Sequence, residues 1–228
     1  NNAIFASAAY DLTDQWEVTA ELRYSEEEIS NTKPVQGTIG RNFYSVTPRF
    51  TTTYKFTPDN MVYVNVAKGN KPGVINADPR FPPEIQFADE EQAWSYEVGT
   101  KNILFDGMLS TNLALYYIDW DDQQLTSTYF FPEPIGGSQS YIINAGKTEI
   151  KGLELEVEAR LTDALTAGLT YAYTDAKFKE FNDGEANELF GNPSLKGKKL
   201  PAVPEQQASV YGKYSFPVGI HSGYVRAD

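Results

Sequence analysis

From Leu153 to Arg160 the chain alternates without a fault, with Leu153, Leu155, Val157 and Ala159 on one parity and Glu154, Glu156, Glu158 and Arg160 on the other. Successive side chains leave a pleated backbone on opposite faces, so the stretch is a strand with one apolar and one ionised face. Two surroundings satisfy such a strand. In a soluble sandwich the apolar face meets a second sheet and the charged face meets bulk water. In a membrane-spanning barrel the apolar face meets lipid and the charged face lines a wet interior. The rest of the chain has to choose between them.

The same periodicity predicts ten strands, joined in pairs at tight polar turns. Residues 4–10 and 16–26 meet at DLTDQ, 46–56 and 61–68 at TPDN, 94–104 and 108–120 at FDGM, 149–161 and 165–175 at TDAL, and 206–216 and 220–227 at PVG. Each turn carries Asp, Pro or Gly, which supply the reversal. The stretches between hairpins, 27–45, 69–93, 121–148 and 176–205, are far longer than the usual handful of connecting residues. They hold KPGVINADPRFPPE, FFPEPIGGSQS and FNDGEANELFGNPSLKGKKLPAVPE. In an up-and-down meander, this alternation puts every short turn on one rim and every long loop on the other, which is the asymmetry of outer-membrane barrels. Segments of about ten residues also exceed the ordinary strand and suit a tilted bilayer span.

Face assignment points the same way. The apolar parity holds Trp16, Val18, Ala20, Leu22 and Tyr24, then Phe50, Thr52, Tyr54 and Phe56, then Val62, Val64 and Val66. It continues through Leu113, Leu115 and Tyr117, then Leu165, Ala167, Leu169, Tyr171 and Tyr173, then Ala208, Val210 and Tyr214. Its aromatics collect at the ends. Tyr10, Trp16, Tyr54, Phe56, Tyr214 and Phe216 lie beside the short turns, and Tyr24, Trp94, Tyr96, Tyr117, Tyr171 and Tyr173 near the long loops. Two aromatic girdles around an aliphatic band belong at the two membrane interfaces, whereas a sandwich buries its aromatics mid-strand. The opposite parity is polar: Glu17, Thr19, Glu21 and Arg23; Arg49, Thr51, Thr53 and Lys55; Ser95, Glu97 and Lys101; Glu154, Glu156, Glu158 and Arg160. These are expected as solvated or ion-paired groups of a lumen wall.

Composition removes competing classes. A net charge of -12 argues against nucleic acid and against a polybasic membrane-surface module. With no cysteine there is neither a disulfide framework nor a thiolate metal site. No apolar run approaches the roughly 18 residues of a membrane-spanning helix, a test that barrel strands do not enter. The opening NNAIFASAAY carries neither an initiator Met nor a basic leader, and reads as the interior of a longer chain.

No catalytic constellation, cofactor site or metal site is assigned. The single histidine, His221, follows the last short turn with no nucleophile patterned toward it, and reads as a rim or wall residue. Asp119, Asp121 and Asp122 in DWDD lack the spacing of a calcium loop and read as an acidic strand end entering solvent. For binding, the candidates are Lys68, Asn70, Lys71 and Arg80 in or beside the first framed long loop, with Trp120, Asp121 and Asp122 at the start of the next. The cations could meet an anionic ligand such as a ferric chelate, and Phe81, Phe87, Phe130 and Phe131 could stack on one. Structural roles compete with this reading: Gly69 and Gly73 suit backbone turns, and Asn144 and Gly146 a chain reversal.

The order of motifs resembles the barrel of TonB-dependent outer-membrane receptors. It runs YVNVAKGNKPGVIN, then SYEVGTKNILFDGMLSTNLALYYIDWDDQQL, then NAGKTEIKGLELEVEARLTDALTAGLTYAYTDAKF, then GKKLPAVPEQQASVYGKYSF. The resemblance implies an all-β, antiparallel up-and-down transmembrane barrel of the roughly 22-stranded, plugged kind. Residues 1–228 would be about ten consecutive strands of it, with the plug domain and the first and last strands absent. It also implies a bacterial outer-membrane receptor that binds a scarce nutrient at extracellular loops, a siderophore-type metal chelate, vitamin or oligosaccharide. Import would draw energy from the TonB complex through the plug, and the other partner would be outer-membrane lipid.

Two other readings remain. One is a soluble all-β ligand- or carbohydrate-binding module, propeller or sandwich, although a propeller blade needs four short strands per repeat. The other is a ten-stranded outer-membrane barrel enzyme, which would need an acid or nucleophile beside His221, at the short-turn rim.

Overall fold

The computed structural model describes residues 1–33, 37–144, 146–181 and 194–228. Its strands are β1 (Asn2–Thr13), β2 (Trp16–Lys33), β3 (Gly37–Thr57), β4 (Asn60–Lys71), β5 (Val74–Ile75), β6 (Phe87–Ala88) and β7 (Glu91–Leu104). There follow β8 (Leu109–Asp121), β9 (Gln124–Phe130), β10 (Ser138–Asn144), β11 (Gly146–Arg160), β12 (Leu165–Phe181), β13 (Gln206–Val218) and β14 (His221–Ala227). Ten of them make one sheet in the order β1-β2-β3-β4-β7-β8-β11-β12-β13-β14, every neighbouring pair antiparallel. Spatial order follows chain order. The five predicted hairpins are therefore consecutive staves of a meander, all short turns lie on one rim, and the sheet is open between β1 and β14.

Three of the short turns are closed by the same device. The Thr13 hydroxyl accepts from the amides of Gln15 and Trp16, at 3.2 and 3.1 Å. Thr57 accepts from the Asp59 amide and the Asn60 side chain, and Thr162 from the amides of Ala164 and Leu165. A threonine ahead of Asp or Pro satisfies the donors a reversal leaves free. In the FDGM turn, Phe105, Asp106 and Gly107 all adopt positive φ, with glycine taking the largest value, 80°.

The long connections differ from the loops expected for them. Residues 27–45 are largely ladder, because β2 and β3 stay paired up to Lys33 opposite Gly37. Residues 121–148 contain the hairpin of β9 and β10, turning at FFPEPIGGSQS. Residues 69–93 contain the short pair β5 and β6, with a 3-10 turn at Pro83–Ile85. β12 runs on to Phe181; residues 182–193 of the last predicted loop lie outside the described residues. The extension of β2 and β3 has a simple cause: Ile29, Thr32, Ile39, Phe43 and Val46 keep β propensity in a polar sequence, so pairing outlasts the apolar band.

Cross-strand partners share a face, and the register puts the predicted apolar set on one side throughout. Ala8 opposes Ala20, Trp16 opposes Tyr54, Tyr54 opposes Val62, Leu113 opposes Leu155 and Leu165 opposes Tyr214. This outer face stays exposed in the isolated chain: Leu22 is 51%, Leu115 48% and Val210 63% accessible. Among the described residues, the buried apolar ones are instead Phe43, Phe81, Ala88, Phe131, Tyr141, Ala176 and Phe178, all toward the long-loop rim.

The inner face carries a feature that periodicity did not predict. Three of its glycines, Gly99, Gly152 and Gly168, are the direct cross-strand partners of Tyr63, Tyr116 and Tyr211. Each ring lies across its glycine so closely that an added Cβ would overlap it. The tyrosine covers the backbone that glycine leaves bare. Its hydroxyl then reaches the wall beyond, with Tyr63 donating to Glu97 at 2.6 Å, Tyr116 bonding Thr174 at 2.9 Å and Tyr211 donating to Glu158.

Candidate functional site

The connections from β4 to β7 and from β8 to β11 fold together into a cap on the long-loop rim. Its apolar centre is Phe81, Phe131 and Tyr141, with Ile85, Tyr129 and Ile143 packed against it. Phe81 stacks on Phe131 with centroids 5.7 Å apart, and Tyr129 meets Phe81 edge-on at 5.8 Å. Such ring pairs add stability beyond the area they bury.

Side-chain amides stitch this centre to the wall. The Asn76 amide donates to the carbonyls of Ile85 and Ile142, and its oxygen accepts from the Ile142 amide at 2.8 Å. One buried asparagine thus serves as a strand edge for two loops. Gln124 donates its backbone amide to the Glu91 carboxylate at 2.6 Å and its side-chain amide to the carbonyls of Pro72 and Asp89. Asn144 accepts from the Asp89 amide and donates to the carbonyls of Asp89 and Asp122. Thr148, fully buried, donates to Gln123 at 2.6 Å. Arg41 of β3 reaches over to Asp89 at 2.8 Å, tying the cap to a third element. Gly146 lies at positive φ with no room for a side chain, since a Cβ there would strike the Glu180 carbonyl.

The predicted binding residues are distributed across this architecture. Arg80 sits on the cap, its guanidinium 4.3 Å from the centroid of Phe131 and donating two hydrogen bonds to the Asp78 carboxylate. The hydrogen bond to Asp78 raises its pKa further, so it remains a cation at any working pH. Beside it opens a concavity of about 550 Å³ whose walls include Asn76, Asp78, Thr126, Gln139 and Tyr141. Lys71 faces inward, 3.5 Å from the buried Glu91. Trp120 is also on the inner parity, opposite Ala93 and Thr148.

The remaining candidates lie elsewhere. Lys68 and Asn70 continue the outward parity of Val66 and oppose Trp94 and Gln92. Asp121 pairs with Lys147 at 2.8 Å, and Asp122 occupies a positive-φ turn, so the acidic run does not converge on a point. Of the four candidate stacking rings, Phe81 and Phe131 are consumed by the cap centre, while Phe130 stays 45% exposed. Phe87 lies under Arg41.

Below the cap, the inner wall forms a second concavity of about 630 Å³, bounded by Tyr63, Lys101, Asn112, Glu154, Glu156 and Gln207. Glu156 accepts from Asn112 at 3.0 Å, Glu97 from Tyr63 and Glu158 from Tyr211. Three acids of this wall, Glu97, Glu156 and Glu158, thus accept from neutral donors. Asn76, Gln124 and Asn144, which organise the cap, were not predicted as a group; an amide or carboxamide inside a long loop carries no period to reveal it.

Comparison with known proteins agrees with this architecture. The family model for the TonB dependent receptor-like β-barrel matches residues 1–227. The chain is 23% identical over 215 residues to the probable TonB-dependent siderophore receptor PiuA of Acinetobacter baumannii, covering 90% of this chain and 28% of that protein. It is 27% identical over 220 residues to the ferrioxamine receptor of Yersinia enterocolitica, covering 92% and 26%. Among solved structures, the ferric yersiniabactin uptake receptor FyuA of Yersinia pestis superposes with a TM-score of 0.73 at 21% identity, covering 98% of this chain and 32% of that one. The copper transporter OprC superposes at 0.69 with 13% identity, covering 93% and 32%. The chain thus spans under a third of the length of these proteins.

Proposed function

Because the chain belongs to the TonB-dependent receptor-like β-barrel family, and so lies in the Gram-negative outer membrane, we propose that it is part of a receptor for a metal chelate of siderophore type. The whole receptor would be a barrel of roughly 22 strands closed around a plug, with residues 1–228 supplying ten consecutive staves. The cap would receive the chelate from outside, and the TonB complex would drive its release inward through the plug. The observation that carries this reading is the cap itself: two long loops packed into one ordered body on a single rim, presenting Arg80 beside an open concavity.

The chemistry suits an anionic chelate. A guanidinium oriented by a carboxylate and a ring offers directed donors to carboxylate, hydroxamate or catecholate oxygens. Lys71 and Trp120, on the inner parity, would line the way down from the cap toward the acidic wall. Lys68, Asn70, Asp121 and Asp122 are not needed for contact in this reading. The relatives named for siderophore uptake support the ligand class.

The test uses the full-length receptor in detergent, titrated with a panel of ferric hydroxamate, catecholate and mixed chelates. Binding of one class is expected, with Arg80→Ala weakening it by about tenfold, the worth of one charge-assisted bond. Uptake of the labelled chelate should stop in cells lacking TonB. Failure of every ferric chelate to bind, or uptake independent of TonB, would refute the proposal.

A further inference from the structure

β3 leaves β4 at Arg49 opposite Ala67 but stays paired with β2 as far as Gly37 opposite Lys33. Pro48, with no N–H to give, marks the separation. Above it β2 and β3 stand beside the cap as a two-stranded hairpin, and chelate binding at the cap leaves this extension without a task. The face it turns to the cap changes character row by row. Lower down, the lumen parity of the two strands is charged, with Glu17, Glu21, Arg23 and Arg49. Above the bonded pair Ser25 and Ser45, 2.7 Å apart, it carries Glu27 beside Phe43, then Ile29 beside Arg41, then Asn31 beside Ile39.

The lower two of these rows close on the cap. Phe43 is buried where Gly73 lets the connection from β4 to β7 pass, since a Cβ there would overlap its ring. Arg41 lies 5.3 Å from the centroid of Phe43 and 5.9 Å from that of Phe87, and pairs with Asp89 at 2.8 Å. The third row stands off. Between Asn31 and Ile39 on the hairpin and Ala77, Asp78, Pro79 and Gln86 on the cap lies a cleft of about 220 Å³. Gly37 completes the wall, with open space where a side chain would be. Ile39, Ala77, Pro79 and the bare backbone of Gly37 make the cleft largely apolar. Its polar margin is the Asn31 and Gln86 carboxamides and Asp78, whose carboxylate accepts from Arg80. Among the described residues, no basic side chain lines it. Ala77 and Asp78 also wall the larger concavity of the cap, so the two spaces adjoin.

We propose that the cleft is a second subsite of the receptor, which takes an apolar substituent, an aryl ring or a short acyl chain, of the same chelate whose iron-binding head lies in the larger concavity. The subsite rests on the reading of the cap as the chelate's seat, and it narrows the ligand to chelates that carry an apolar group outside their donor set. The occupant is chosen by continuity, because a molecule seated beside Arg80 has the cleft as its immediate neighbour across Ala77 and Asp78. Size agrees: an apolar cavity of about 150 Å³ admits benzene, so the cleft has room for one ring and its linker. The two closed rows hold the hairpin at a fixed distance from the cap. The subsite is thus preformed, and the cost of ordering falls on the ligand.

The full-length receptor in detergent micelles is titrated with ferric tris-hydroxamate and ferric tris-catecholate chelates, each made with and without a phenyl substituent remote from the donor oxygens. For whichever head binds, the substituent is expected to tighten binding by about tenfold, the worth of roughly 60 Å² of apolar surface leaving water. Ile39→Ser, which strips the apolar wall, should cut that gain to about twofold or less. Ile39→Trp, which fills the cleft, should abolish it, and reads the same subsite should the serine variant not fold. Ser30→Ala, on the opposite face of the same hairpin, should keep the full gain. Heat-modifiable migration on a gel verifies that each variant is folded. A gain that survives both Ile39 variants would put the substituent in the micelle or against another loop and overturn the subsite. No gain in the wild type, with the bare head bound, would overturn the subsite and leave the cap's role standing. Failure of every chelate, bare or substituted, would sink both.

Discussion

The cap and the outer wall use the same residue types in opposite ways. In the cap, Phe81, Phe131 and Tyr141 are 4 to 8% exposed, and the side-chain amides of Asn76, Gln124 and Asn144 donate to loop carbonyls around them. On the wall, Leu115, Val210 and their neighbours stand half open, over an area far larger than a water-soluble monomer tolerates. The difference is one of solvent. A cap facing water must hide its apolar surface in itself, whereas the wall of an outer-membrane barrel faces acyl chains and has nothing to hide. Exposure of a hydrophobic residue therefore identifies its neighbourhood only once its face is known.

That contrast can be broken in several places. The largest effect is expected inside the cap, where Phe81→Ala should remove about 3–5 kcal/mol of local stability by leaving a cavity among rings. Hydrogen exchange should then rise across residues 72–92 and 124–144 while the wall remains protected; loss of wall protection as well would mean that cap and wall form a single cooperative unit. On the wall, Leu155→Arg should cost roughly 2–4 kcal/mol at mid-bilayer depth, and Glu156→Gln, one residue along and facing the lumen, almost nothing. Folding yields into lipid vesicles compare the two directly, and equal yields would reverse the face assignment.

Smaller effects probe the inner side and the headgroup level. Gly99→Val should drive the Tyr63 ring off its seat and break its bond to Glu97, at about 1–3 kcal/mol for overpacking, seen as a lower midpoint of thermal unfolding. Glu149 lies above the span and supplies the pH dependence. Lys151 first, then Lys179 and Tyr117, hold its carboxyl at about 2, below its ordinary 4.5. Because the folded value is the lower one, the contribution is complete above the unfolded value and fades as pH falls from about 4.5 toward 2. The stability gap between wild type and Glu149→Gln should close over that window; a gap constant with pH would deny the interaction.

Much of the wall was legible in advance because it rests on local rules. A residue's face follows from counting by twos, and a reversal from Thr, Asp, Pro and Gly in a short turn. Even the outward placement of Lys68 and Asn70 was available from the parity of Val62, Val64 and Val66, had the count been carried past the apolar stripe. The first long connection was misjudged for a related reason: beyond the membrane both faces of a strand may be polar, so alternation disappears while the backbone ladder persists.

What the sequence determined by itself is the meander, its two faces and its two rims, since each depends on neighbours one or two residues apart. The tertiary structure decided the rest. Asn76 meets Ile142, Phe81 meets Phe131, and Gly99 meets Tyr63 across separations with no period to announce them. The row from Asp119 through Glu149 and Lys177 to Lys199 exists because register brings three strands and one bridging residue to the same level. Register is a property of paired chains, set by the sum of many cross-strand contacts, and no single segment contains it.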